Sequence, residues 1–174
     1  MNNPSSEAGE PLGDLRYSGH TMAAVRVLLG LLWLQNVGWK VPPNFAPVER
    51  FVQRGIDTPV FPPYSALLES LVAPNLKLFG WLTLLTELAL AVFLLSGLAT
   101  RLWAAVGAVQ CLAIGLTVAN AEHEWGWAYW LMIAAHVAVF ATASGRVAGL
   151  DSFLRPALRQ RRDAVSKTYL RWAS

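Results

Sequence analysis

Charge-free stretches separated by short polar breaks organise this chain. No charged residue lies between Arg26 and Lys40, only Glu87 lies between Lys77 and Arg101, and none occurs in Leu102–Ala121 or Trp125–Gly145. A bilayer-spanning helix takes about 20 mostly apolar residues, so the pattern predicts four spans near residues 21–41, 76–98, 101–120 and 125–145. Arg26, Gln35, Asn36 and Lys40 interrupt the first, which is still too long for a typical strand. The fold class expected is all-α: an integral-membrane four-helix bundle over residues 21–150, after a polar tail (1–20) and before a basic tail (151–174).

The 42–75 connection holds seven of the ten prolines. A connection this long is usually functional or flexible; Val48–Gln53 and Ala66–Val72 are expected as short helices at the membrane surface, under a stiff cap. The tail from Asp151 to Trp172 reads as one basic amphipathic helix, with Leu154, Leu158, Val165 and Tyr169 toward one side, suited to anionic lipid. A disordered, positively charged topology signal is the alternative reading.

Composition agrees with a membrane. The 174 residues are 55% hydrophobic and 14% charged, against about 45–50% and about 25% in soluble domains, and mean hydropathy is +0.39. Seven of the 14 Lys and Arg follow position 145, whereas the Asn120–Trp125 loop carries Glu122 and Glu124 and no Lys or Arg. By the positive-inside rule the C-terminus is cytoplasmic; four spans then put the N-terminus there too, in a multi-pass cell-membrane protein with the 42–75 loop outside. The first 20 residues carry Glu7, Glu10 and Asp14 against Arg16 alone, unlike a signal peptide, so the first helix is expected to be retained. Cys111 is the sole cysteine, which excludes an internal disulfide and CxxC chemistry.

Polar residues inside the spans are the candidate chemistry, because ionisable groups there cost about 2.5–3.5 kcal/mol each and tend to face the interior and pair. Helical rise places Arg26 about 8 Å from the inner end of its span and Glu87, Gln110 and His136 about 12–16 Å from theirs, a potential single polar layer. Arg26, Gly30, Trp33, Val37 and Lys40 share a face of the first helix, Gly80, Thr83 and Glu87 of the second, Trp103, Gln110 and Thr117 of the third, and Trp125, Tyr129, Met132 and His136 of the fourth. Glu87 is expected either to pair with Arg26 as a packing element or to exchange protons with a bound redox molecule. Trp39, Trp81, Trp125 and Trp127 read as outer interface anchors and Trp103 as an inner one; Trp33 and Trp130 sit deeper, as candidate pocket walls.

Other chemistries find less support. His136 invites a haem reading, but His123 lies about 20 Å away on the same helix and His20 is the remaining partner, so a core histidine or a hydrogen-bond donor to a quinone carbonyl is preferred. Glu122, His123 and Glu124 are adjacent and point apart, a poor metal set; Lys40 with His123 is a candidate attractor of a substrate anion at the outer face. No nucleotide-binding glycine loop, HExxH or nucleophile elbow occurs, and the basic tail gives little reason to expect nucleic acid.

Three segments carry a resemblance. RVLLGLLWLQNVGWK (Arg26–Lys40), TELALAVFLLSGLATR (Thr86–Arg101) and ASGRVAGLD (Ala143–Asp151) resemble the DoxX family of small four-helix membrane proteins, and the proline-rich loop with HEWGWAYWLMIAAH (His123–His136) is more similar to its DoxD branch, the small subunit of thiosulfate:quinone oxidoreductase. The similarity spans roughly residues 22–152 and includes Arg26, Glu87, Thr100, Arg101, Leu150 and Asp151; Ala91 stands where a glycine is frequent.

The resemblance implies oxidation of thiosulfate to tetrathionate with electrons passed to membrane quinone. Quinone is then the candidate cofactor, no haem, flavin or metal motif being present, and a second redox subunit or a homo-oligomer the candidate partner within the lipid bilayer. Arg26, Glu87 and His136 become the candidate catalytic groups around the quinone headgroup, Trp33, Gln110 and Tyr129 its binding residues, and Lys40 or Arg101 either attracts anions or snorkels. A non-catalytic scaffold for a redox enzyme and a small transporter or lipid-binding protein are the competing readings, since fold does not fix function.

Overall fold

The computed structural model describes residues 12–40, 42–161 and 163–174, with side chains from Ser18 onward. Residues 1–11 of the expected polar tail, and Arg162 in the basic one, lie outside the described residues. Among the described residues every regular element is helical.

α1 runs from Leu12 to Val37, so it begins within the stretch read as a polar tail and stops short of the expected end of the first span. The chain reverses at once: Gly38 N–H donates to Gln35 O and Lys40 N–H to Val37 O. α2 is Ala46–Asp57 and α3 is Pro62–Leu67. Prolines fit the first turns of both, where a missing N–H costs nothing. α3 continues through a wide turn at Leu68–Val72 and a tight one at Ala73–Asn75 into α4, Leu76–Ser96, making one stretch from Pro62 to Ser96. Pro74 explains the irregularity, because it cannot donate to the helical ladder. The Asn75 side-chain amide donates to Leu71 O across the same turn at 2.9 Å.

α4 ends at Gly97, whose φ of +67° suits glycine. α5 (Thr100–Val118) and α6 (Gly126–Thr142) follow, then α7 (Gly145–Ala148), α8 (Leu150–Gln160) and α9 (Ala164–Thr168), which leads into a last wide turn at Tyr169–Ala173. The tail is thus two helical pieces, not one helix: α8 ends at Gln160 and α9 begins at Ala164, capped by the Asp163 carboxylate, which accepts from Ser166 N–H at 2.7 Å.

The four long helices close in a ring, α1 against α4 and α6, and α5 against α4 and α6. Leu29, Trp33, Leu90, Ala91, Leu94, Ala104, Cys111 and Val139 form the core between them. Outward, Leu28, Leu31, Leu85, Val92, Val109, Leu131 and Val137 remain exposed, an apolar belt that water would not favour. Two stretches, Pro62–Ser96 and Thr100–Val118, are long and apolar enough to cross a membrane; Gly126–Thr142 is apolar but shorter.

The 42–75 segment is a packed cap, with helices longer than its sequence predicts. Phe45, Val48, Val52, Leu68 and Val72 form a second core beneath it. Phe45 lies against the space left by Gly80, where a Cβ would come within 2.6 Å of its ring, and α2 rests on α5. Filling that space with Gly80→Leu is expected to expel Phe45 and loosen the cap at a cost of about 1–3 kcal/mol, read as faster proteolysis of residues 42–60 with α4–α6 still protected.

Candidate functional site

The turn at residues 38–40 sends the Lys40 side chain back into the helical ring. Its Nζ lies 2.5 Å from Glu87 Oε2, with side-chain exposures of 3% and 0%. It also donates to Asn36 O at 3.1 Å and sits 3.9 Å above the Trp39 ring. This corrects two expectations. Lys40 does not reach outward to attract an anion with His123, whose side chain is 89% exposed beside Glu122. Glu87 pairs with Lys40 and not with Arg26.

Glu87 opens onto a cavity of about 740 Å³ between the ring and the cap. Trp33, Leu68, Phe79, Ile114 and Met132 give it apolar walls, while Lys40, Glu87, Gln110, Thr117 and Tyr129 supply polar groups. Gln110 approaches the carboxylate closely enough to act on it, yet neither Glu87 oxygen has a hydrogen bond of good geometry. Buried acceptors so poorly satisfied are costly, and a ligand donor in the cavity would relieve that cost. The volume and mostly apolar lining match small-molecule sites, which run to about 300–1,000 Å³.

Of the residues predicted for the site, Glu87, Trp33, Gln110, Tyr129 and Lys40 line the cavity; Arg26 and His136 do not. His136 is fully buried behind Trp33 with both ring nitrogens engaged: Trp33 Nε1–H donates to Nε2 at 3.0 Å, which leaves Nδ1–H to donate to Met132 O at 2.7 Å. That fixes a neutral tautomer and makes His136 the positioner of Trp33, not a partner of the cavity's contents. Gly107 permits this, since a Cβ there would overlap the imidazole. Trp33→Phe is expected to orphan Nε2 and lower stability by about 1–3 kcal/mol, measured by thermal unfolding in detergent.

One further aromatic expectation changes. Trp130 is 47% exposed and off the cavity. Trp103 stacks on Phe93 with centroids 4.6 Å apart. Thr83, placed by sequence on the interior face of its helix, lines the cavity, as do Tyr64 and Thr86, which were not singled out; their signal was faint, since Tyr64 belongs to a connection and Thr86 sits among leucines. At the cap end Tyr129 O–H donates to Glu124 Oε2 at 2.8 Å, and Arg54 of α2 lies 3.7 Å from Glu124 Oε1, joining cap to ring.

Arg26 belongs to a second polar cluster at the opposite end of the ring. It is 1% exposed, and its Nη2 donates to Ala148 O at 2.5 Å. The carboxylate whose charge acts on it is Asp151, itself fully buried. Asp151 accepts from Ala99 N–H at 2.9 Å, from Thr100 N–H at 3.0 Å and from Tyr169 O–H at 2.5 Å. It therefore caps α5, whose own preceding residue, Ala99, has a φ of 49° and no capping side chain. Backbone crowding at Gly97, Gly145 and Gly149 makes the cluster possible, Gly97 standing where any Cβ would meet Arg26.

Burial, then the hydrogen bond to Asp151, pushes the Tyr169 phenol up to about 12 from its ordinary 10.0. A raised folded value makes the contribution complete below the unfolded value and lost as pH climbs through the folded one. The tail is accordingly expected to stay fastened below pH ~10 and to release by pH ~12, seen as a late tyrosinate absorbance step that Tyr169→Phe abolishes.

These features define a small, apolar, all-helical protein with a charged pair sunk beside an interior cavity. A family model described as "TQO small subunit DoxD" matches residues 50–171, and the chain belongs to this DoxD family of membrane-associated subunits related to thiosulfate:quinone oxidoreductase. The matched range holds Glu87, Gln110, Tyr129 and Asp151, whereas Arg26, Trp33 and Lys40 precede it. No curated protein and no solved structure matches the chain.

Proposed function

We propose that the chain is a multi-pass membrane subunit whose four long helices span the bilayer, with both termini cytoplasmic and the 42–75 cap outside, and that its cavity takes the headgroup of a membrane quinone. The observation that carries the reading is the Lys40–Glu87 pair, buried and lining a mostly apolar cavity. The family description supplies the ligand class. A quinone when bound is a two-electron, two-proton acceptor. Lys40 would donate a hydrogen bond to a ring oxygen, and the Glu87 carboxylate would take up a proton from solvent and pass it to the reduced ring, with Trp33 and Met132 as walls and Tyr129 and Gln110 bordering the polar end. Electrons would come from thiosulfate, handled on another subunit.

Glu87→Gln tests the proton role, since it keeps shape and hydrogen-bonding capacity while removing the acid. In the assembled enzyme it is expected to lower thiosulfate-dependent quinone reduction by about 10²–10⁴-fold, the usual worth of general acid–base catalysis, with quinone still bound. Unchanged turnover in a folded variant would remove Glu87 from the reaction.

A further inference from the structure

Four arginines gather where the tail folds against the inner end of α5. The Nη2 of Arg146 and the Nη1 of Arg155 both donate to Ser174 O, at 2.5 and 3.0 Å. Arg101 Nη1 donates to Arg171 O at 3.2 Å, while its buried Nε has no partner. Arg101, Arg155 and Arg159 all lie close enough for their charge to act on Arg146. Among the described residues none of the four is ion-paired to a carboxylate side chain. The acid within reach, Asp151, is committed to backbone amides and Tyr169. Ser174 O, an oxygen of the last residue's carboxylate, neutralises part of this charge, and four guanidinium groups around one such carboxylate leave the corner net positive, a setting that favours a further anion.

Beside this cluster runs an apolar groove of about 500 Å³, walled by Leu102 of α5 and by Val165, Thr168, Tyr169 and Trp172 of the tail. Leu102, Val165 and Trp172 are 48%, 79% and 59% exposed. Leu102 opens the outward face of a helix long enough to cross a membrane, so the groove continues the apolar belt just where the arginines begin. Apolar below and cationic above is the pattern of an interfacial lipid.

We propose that this corner binds an anionic phospholipid of the inner leaflet, its phosphate on the arginine cluster and an acyl chain in the groove. The site rests on the membrane placement proposed above. It would fasten the tail to the bilayer at the turn that Asp151 organises, and it is separate from the quinone cavity, which lies at the other end of the ring.

The test reconstitutes the full chain in vesicles of phosphatidylglycerol or of phosphatidylcholine, extracts it in mild detergent and weighs retained lipid by native mass spectrometry. Phosphatidylglycerol is expected to be retained preferentially. Arg146→Gln with Arg159→Gln should lower that retention by about fivefold for each arginine removed, and Thr168→Trp, which fills the groove, should lower it with the charges intact. Thermal unfolding shows that each variant is folded. Equal retention of the two lipids, or no loss in the variants, would overturn the site. Displacement of the lipid's effect by inorganic phosphate with Thr168→Trp silent would also overturn it, by making the corner a plain anion site. Failure to float with vesicles of either composition would instead refute the membrane placement, whereas flotation without preference would sink the lipid site alone.

Discussion

Lys40→Met is expected to lower stability by about 3–5 kcal/mol, the cost of leaving a buried carboxylate without its counter-ion. Glu87 has no exposed surface and lies 2.5 Å from the ammonium, and no second cation acts on it to replace what is lost. The size follows from the asymmetry of buried pairs: breaking one is far more damaging than never having it. Removing both charges with Lys40→Met and Glu87→Leu should therefore return most of the stability, and a double-mutant cycle in detergent should give a coupling of several kcal/mol. Near-additive losses would mean that the two groups do not meet. The rescued double variant should fold and bind no quinone, because the same pair serves packing and ligand.

Asp151→Ala is expected to be nearly as damaging, at about 3–5 kcal/mol, since charge-assisted hydrogen bonds contribute about 1.5–3 kcal/mol each and two backbone donors would be orphaned in the interior. α5 has no other side-chain cap at this end, and Arg26 would lose the carboxylate that acts on it. Tyr169→Phe removes one partner only and should cost about 1 kcal/mol. Thermal unfolding of the two variants ranks them. Limited proteolysis should show the tail beyond Gln160 cleaved early in Asp151→Ala, while equal stability of the two would contradict the capping role.

Much of the helical frame was legible in the distribution of charge, because burying or lipid-exposing a helix excludes charge over its whole length. The charge-free runs bracket α4, α5 and α6 closely. Periodicity also chose the interior faces: Trp33, Gly80, Glu87, Gln110 and Met132 all turn inward. What it could not give was depth. Lys40 reads as an outer-surface residue if α1 runs to residue 41, and the chain reversal after Val37 moves its ammonium into the interior by a turn that no period reveals. Arg26 then lost its expected partner to a competitor just beyond the end of its own helix.

The inner cluster was hidden for a different reason. Asp151 meets Ala99 and Thr100 across 51–52 positions, a long-range capping contact with no local signature. The tail's amphipathic pattern suggested one helix, but α8 stops at Gln160 and the Asp163 cap starts a new one at Ala164. The cap over the cavity was likewise read as surface helices, because proline content marks stiffness without saying what packs beneath it.

The central claim is that the Lys40–Glu87 pair and its cavity hold a quinone. Intact-sample mass spectrometry of the tagged chain purified in mild detergent tests this most directly, alongside Lys40→Met/Glu87→Leu. The account predicts a quinone retained by the natural chain and missing from the folded double variant. A folded natural chain that retains no quinone and takes none from quinone-loaded vesicles, or a double variant that retains as much, would contradict it.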